Sequence, residues 1–207
     1  MEIRKISYRN PMDRYFFQSF FDNLLVKVMD PDIVPDFNTY FDVISNPTSR
    51  HVWSCIVLVE DARVVGGVAT GYLPKVGCGV IEFLRVMDGY ETMECDLLQA
   101  GVKDLKENCR GLRRIFMELT AEEIQRPWVH LCKRLDFKYK APALKEDGEI
   151  VEQLVMSLVA STENSVTGVE LKEFLDEFYT ACYVTTDQFA ECMPDIADDA
   201  VISAVWL

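Results

Sequence analysis

The chain has 207 residues, 49% of them hydrophobic and 27% charged, with a formal net charge of −13. That length supports one sizeable core, or one domain with an appendage, in a protein of ordinary globular composition. The acidity disfavours nucleic acid and anionic membranes, no apolar run approaches the roughly 20 residues that span a bilayer, and the opening MEIRKISYRN lacks a signal-peptide core, so a cytoplasmic protein is expected.

Residues 2–8 alternate as a first strand. After Pro11 and Asp13, the residues Tyr15, Phe16, Phe20, Leu24, Leu25 and Val28 line one face of a helix that Asp30-Pro31 ends. A second short helix is read over residues 37–44, before Asn46-Pro47. The aromatic side chains here follow helical spacing, which makes them core. Residues 53–60 and 64–73 are strands joined by Asp61-Ala62-Arg63, a connection suited to a β-hairpin. Lys75-Val76-Gly77 turns the chain into a third strand, residues 79–86, which completes an antiparallel meander.

From Val80 to Leu98 this strand runs through the break at Asp88-Gly89 into a helix marked by Leu97, Leu98, Gly101, Val102 and Leu105. A helix starting just after a strand points free N–H groups and its positive dipole end at the loop, a geometry that favours an anion. Glu91, Glu94 and Asp96 stand there, able to cap the helix and placed to repel a pyrophosphate.

Residues 114–119 form the next strand, so the unit 79–119 is strand, helix, strand with locally parallel pairing. A helix is read over residues 127–135 with Pro127 in its first turn, then a strand at 136–139 paired with 150–159. From Leu144 onward 14 acidic residues face only two lysines, the pattern of a solubilising region. An amphipathic helix over residues 169–183 sets Leu171, Phe174, Leu175 and Phe178 on one face, and residues 201–207 are a last strand or a tail docked on the core. The expected organisation is one domain over residues 1–159 and an acidic helical extension over 160–207 packed on the same core.

Seven cysteines without a C-x-x-C pair read as reduced, mostly buried thiols, and two histidines far apart in sequence give no metal site. No G-x-S-x-G elbow, phosphate loop ending in Gly-Lys-Ser/Thr or H-E-x-x-H helix is present.

The order of strand, two helices, three-strand meander, helix, strand, helix and strand pair resembles the GNAT superfamily of N-acetyltransferases over about residues 2–159. The segments VLVEDARVVGGVATGYLP and GVIEFLRV look like that family's central meander, and RRIFMELTAEEIQRPWVHLCKRLDFKY like its later strand, helix and strand. The resemblance implies an α+β fold, a mixed and mostly antiparallel sheet flanked by helices, here with a C-terminal helical extension. It implies acetyl-CoA or another acyl-CoA in a cleft where the fourth and fifth strands splay, with the backbone of Leu84, Arg85 and Val86 facing the pantetheine arm.

The family's pyrophosphate loop, Arg/Gln-x-x-Gly-x-Gly/Ala, falls on Glu91, Thr92, Met93, Glu94, Cys95 and Asp96, where every diagnostic position differs. Side chains in place of glycine obstruct the approach of backbone N–H groups to phosphate. At an effective dielectric near 20, like charges about 4 Å apart cost about 4 kcal/mol, roughly a thousandfold in affinity. The family's leaving-group acid, a tyrosine in the later helix, falls on Cys132; a thiol can donate a proton, and a buried small residue is the bland alternative. Glu82, a carboxylate in an apolar strand beside the cleft, is the candidate base for an amine, against a solvent-facing residue of an alternating strand. His130 reads as a helix-surface residue.

Three functions therefore stand side by side. The first is an acyl-CoA-dependent N-acyltransferase-like protein with a degenerate loop, acting on a small-molecule amine. The second is a catalytically inactive GNAT-fold binding or interaction module, whose partner could be a protein. The third uses the cleft for an uncharged or cationic ligand, which the acidic loop tolerates. Oligomeric state is not legible in the sequence.

Overall fold

The computed structural model describes residues 1–7, 9–28, 36–45, 51–137, 140–141, 151–152, 155–181 and 195–207. The predicted helix stop at Asp30-Pro31, the second half of the strand read over 136–139, and Cys182 and Cys192 lie outside them.

The chain opens with β1 (Glu2–Lys5) and enters α1 (Pro11–Phe20), where Asn10 Oδ1 accepts from Met12 N at 3.0 Å and Pro11 occupies the first turn. Phe17 and Phe20 are fully buried from this helix, each contributing roughly 1.5–3 kcal/mol. A π-helical turn (Phe21–Leu25) and a short helical end (Val26–Val28) extend it, and α2 (Phe37–Ser45) packs beside it through Phe17, Phe37 and Phe41.

The meander follows as β2 (Val52–Glu60), β3 (Arg63–Leu73) and β4 (Cys78–Val86). Glu60 pairs with Arg63, so the hairpin turn is the two residues Asp61 and Ala62, both at positive φ, rather than the three read from sequence. A 3-10 turn (Glu91–Met93) leads into α3 (Glu94–Asn108), then β5 (Arg114–Leu119). Gly101 brings α3 close to the sheet: a Cβ there would lie 3.0 Å from Thr70 Cγ2.

The predicted helix over 127–135 is corrected. Two 3-10 turns (Glu123–Gln125 and Pro127–Leu131) precede β6 (Cys132–Leu135), which begins where the helix was expected to continue. The spacing of Trp128, Leu131, Cys132 and Leu135 fits a helix, but pairing with neighbouring strands on both sides overrides it. Next come β7 (Lys140–Ala141) and β8 (Val151–Glu152), paired with each other, then β9 (Val155–Val159), β10 (Ser165–Thr167), α4 (Gly168–Ala181) and β11 (Val201–Trp206).

Among the described residues the main sheet has nine strands in the order β1-β2-β3-β4-β5-β9-β6-β11-β10, and of these only β4 and β5 pair in parallel. Strands β10 and β11 extend it beyond β6, so residues 160–207 supply strands as well as the expected helix. Lys133, 3% exposed, ties this region down: its Nζ donates to Glu163 O at 2.7 Å and Asn164 Oδ1 at 3.0 Å and lies 4.6 Å from the Trp206 ring.

Each face of the sheet carries a core. On one, α1, α2 and α4 cover Trp53, Cys55, Ala69, Val80, Phe83 and Phe116, with Phe116 stacked on Phe174 of α4 at 4.1 Å. On the other, α3 and the 3-10 turns cover Ile56, Leu58, Val68, Ile81, Leu84 and Met117 with Leu97, Leu98 and Trp128. No helix among the described residues is long and apolar enough to cross a membrane.

Candidate ligand site where two parallel strands part

The parallel ladder between β4 and β5 runs from Cys78↔Arg114 to Ile81↔Met117 and stops. Beyond it β4 continues to Val86, while Glu118 and Leu119 of β5 pair with Met156 and Val155 of β9. The stop coincides with a bulge. Ala69 of β3 faces Phe83 and Thr70 faces Ile81, so Glu82 is the extra residue on β4. A bulged residue leaves its alternation, and the Glu82 side chain meets Tyr40 of α2.

Tyr40 Oη donates to Glu82 Oε2 at 2.5 Å, and its ring stands edge-on to Phe83 at 5.8 Å. Burial pushes the Glu82 carboxyl up to about 7; the Tyr40 hydrogen bond opposes the rise, and the charge of Glu118 adds to it. Glu118, just past the last paired residue of β5, accepts from Tyr179 Oη of α4 at 2.5 Å. The Cys55 thiol is pushed up by burial and by Glu82. Two carboxylates from adjacent strands, each bonded to a phenol from a different helix, therefore stand at the parting.

The open edge of β4 follows from hydrogen-bond parity. Met87 N donates to Val65 O at 2.8 Å, and successive residues of a strand turn their polar groups to opposite edges. Leu84 and Val86 thus direct theirs away from β3, toward the side β5 has left. Arg85 Nη1 donates to Leu84 O at 2.7 Å and also bonds Glu123 Oε1. Glu123 is held in turn: its Oε2 accepts from Thr120 N at 2.8 Å, and its own N–H donates to Thr120 Oγ1 at 3.2 Å.

The predicted pyrophosphate loop is the 3-10 turn and the first turn of α3. Glu91, Thr92 and Asp96 are exposed, and Met93 and Cys95 are half-buried. Glu91 Oε1 accepts from Gly89 N at 3.0 Å, and backbone N–H groups hold its carboxyl below the usual range. No side chain caps α3, which corrects the capping role read for the three acids. Glu94 is 5% exposed, with Arg126 Nη1 3.8 Å from its Oε1. Its Oε2 and the buried Trp128 Nε1 lack hydrogen-bond partners, yet the nearby indole favours the anion. Burial nevertheless raises the Glu94 carboxyl, opposed by Arg126, Trp128 and Arg85.

Cys132 lies in β6 rather than a helix and is 0% exposed, its thiol pushed up to about 12 by burial despite the Ser157 contact. Such a thiol, sealed in the α3-side core, is not placed to deliver a proton. His130 is exposed, with Nδ1 2.6 Å from Pro127 O. Among the described residues no cluster of His, Cys, Asp or Glu is arranged to hold a metal.

No protein-family model and no curated protein sequence matches the chain. Solved structures do. A GNAT-family protein from Bacteroides thetaiotaomicron superposes with a TM-score of 0.57 at 12% identity, over 88% of this chain and 97% of its own. The chain has the GNAT acetyltransferase fold. A diaminobutyrate acetyltransferase from Paenibacillus lautus, solved with L-2,4-diaminobutyric acid and coenzyme A, gives 0.53 at 12% identity, over 80% of this chain and 97% of its own. The aminoglycoside 6'-N-acetyltransferase of Enterococcus faecium gives 0.51 at 13% identity, over 79% and 99%.

The fold implies coenzyme A, and the residues present do not fit it in the family's usual pose. A buried carboxylate stands where the loop pattern has glycine, and Leu84 O, which faces the pantetheine arm in that pose, already accepts from Arg85. Tyr40, Trp128, Glu118, Tyr179 and the Arg85 side chain carried no sequence signal of their roles. Glu123 did: Thr120-Ala-Glu-Glu123 is a capping-box pattern.

Proposed function

We propose that this protein binds a cationic small-molecule amine at Glu82 on an acetyltransferase-like scaffold, and that it does not hold acyl-coenzyme A through the family's pyrophosphate loop. The observation that carries the reading is Glu82 itself, lifted out of the β4 ladder by a bulge at the parting of the strands and oriented by Tyr40. Burial raises this carboxyl to about 7 and the neighbouring Glu118 adds to the rise; an incoming ammonium ion pairs with the ionised form and offsets the repulsion from Glu118. Two structural neighbours act on amines, diaminobutyric acid and aminoglycosides, which supports the same ligand class. Glu94 supports the second half of the proposal, since an incoming pyrophosphate meets a buried anion in the first turn of α3.

Isothermal titration with methylamine, a short diamine, an amino sugar and acetyl-CoA tests this. Saturable binding of at least one amine is expected, weakened at least about tenfold (about 1.4 kcal/mol) in Glu82→Gln, with no binding of acetyl-CoA at millimolar concentration. Absence of all amine binding refutes the first half, and micromolar acetyl-CoA binding refutes the second. An active N-acyltransferase is the second reading, favoured by the value near 7 at Glu82, which suits a group accepting an ammonium proton. Acetylation of any amine in the same panel decides for it.

A further inference from the structure

Leu84 and Val86 present backbone groups along an edge that β5 has left, a place where an extended amide-bearing ligand can add on as a strand does. In this protein the chain's own side chain has taken that place. By strand alternation Arg85 leaves β4 on the face of Phe83, opposite to Leu84, yet its guanidinium turns into the gap and donates to Leu84 O at 2.7 Å. There it also meets Glu123, on the 3-10 turn after β5, so one guanidinium spans the gap from strand to turn. Both ends are shielded, with side-chain exposures of 17% for Arg85 and 11% for Glu123, and the capping box with Thr120 fixes the acid in place.

We propose that Arg85 is an internal occupant of the β4 edge, latched by Glu123, and that this autoinhibitory contact must open before an amide-bearing chain can pair with Leu84 and Val86. The inference deepens the reading above, in which coenzyme A is excluded, by separating two obstructions. Glu94 opposes the phosphates, while Arg85 blocks the amide-bearing arm. The latch is an ion pair between the largely shielded Arg85 and the buried Glu123, and either partner alone leaves the other's charge unmatched in a shielded gap. Opening it therefore requires a ligand or variant that removes or replaces one side.

The probe is pantetheine, which carries the amides and lacks the pyrophosphate. Its binding to the full chain is followed through the Val86 amide resonance in wild type, Arg85→Ala and Glu123→Gln, with circular dichroism reporting folding. The expected result is at least a tenfold tighter binding of pantetheine in Arg85→Ala than in wild type, with the Val86 resonance shifting on titration. Glu123→Gln, which frees the guanidinium without removing it, gains less. If Arg85→Ala does not fold, the Glu123→Gln gain over wild type decides. Folded variants that bind pantetheine no more tightly than wild type, or bind it without moving Val86, overturn the proposal. Acetyl-CoA serves as a second probe: a smaller gain than that of pantetheine leaves both obstructions standing, whereas an equal gain supports the latch and removes the role given to Glu94. The methylamine titration of wild type is independent of the latch, so failure of the amine reading is seen separately.

Discussion

Replacing Glu82 by Gln keeps the shape and an acceptor for Tyr40 while abolishing the titration. In the folded protein this carboxyl stands at about 7 against an ordinary 4.5. The native state therefore keeps a proton that the unfolded chain gives up, and its contribution to stability is full at acid pH and is lost as pH rises from about 4.5 through about 7. At about 1.4 kcal/mol per tenfold change in proton affinity the displacement is worth about 3 kcal/mol, and the solvent contact that Glu82 retains screens it to about 2. Urea unfolding of wild type and Glu82→Gln from about pH 5 to about pH 8 measures it. The variant should gain about 2 kcal/mol on wild type across that range, with the larger share on the approach to neutrality. Parallel stability profiles for the two proteins would show that Glu82 is not held protonated by its surroundings, and the electrostatic part of the amine-site argument would fall with it.

Two further perturbations probe the scaffold. At Gly71 a Cβ would sit 2.2 Å from the Trp53 ring, which packs against Phe178 of α4, so Gly71→Ala should lose about 2–3 kcal/mol in denaturant unfolding. A loss under about 0.5 kcal/mol would mean the ring moves aside freely. Cys132, fully buried with its thiol pushed up to about 12, should resist iodoacetamide in the native protein at neutral pH and react only on unfolding. Rapid native labelling of Cys132, located by peptide mapping, would contradict its placement in the α3-side core.

The meander and the β4–α3–β5 crossover were legible because each rests on local signals. Apolar alternation, a short polar connection between strands and the helical spacing of Leu97, Leu98, Val102 and Leu105 lie within a few residues of one another; the length of the turn, read as three residues, was not legible. Strand β6 was not legible. Its residues carry a helix-compatible pattern, and its partners on β9 and β11 come from distant sequence. The same distinction divides the candidate site. Glu82 stood out as a carboxylate in an apolar strand, whereas Tyr40 and Glu118 reach it only through the fold. The departures at Glu91, Glu94 and Asp96 were visible without a structure, but their unequal burial was not: Glu94 alone turns inward, where Trp128 and Arg126 receive it.

The insertion of β11 between β6 and β10 gives this protein an order-of-arrival problem on the ribosome. Strand β6 emerges long before Val201–Trp206, and at roughly 5–20 residues per second the delay is on the order of several seconds. Until β11 arrives, the edge of β6 opposite β9 is an unpaired template. Lys133 and Arg134 lie in that strand on opposite faces, and charged residues on an edge strand disfavour pairing with a wrong neighbour. In the finished sheet Trp206 rests beside the Lys133 ammonium, so the same charged residue that discourages wrong pairing at an edge anchors the last strand once it has paired.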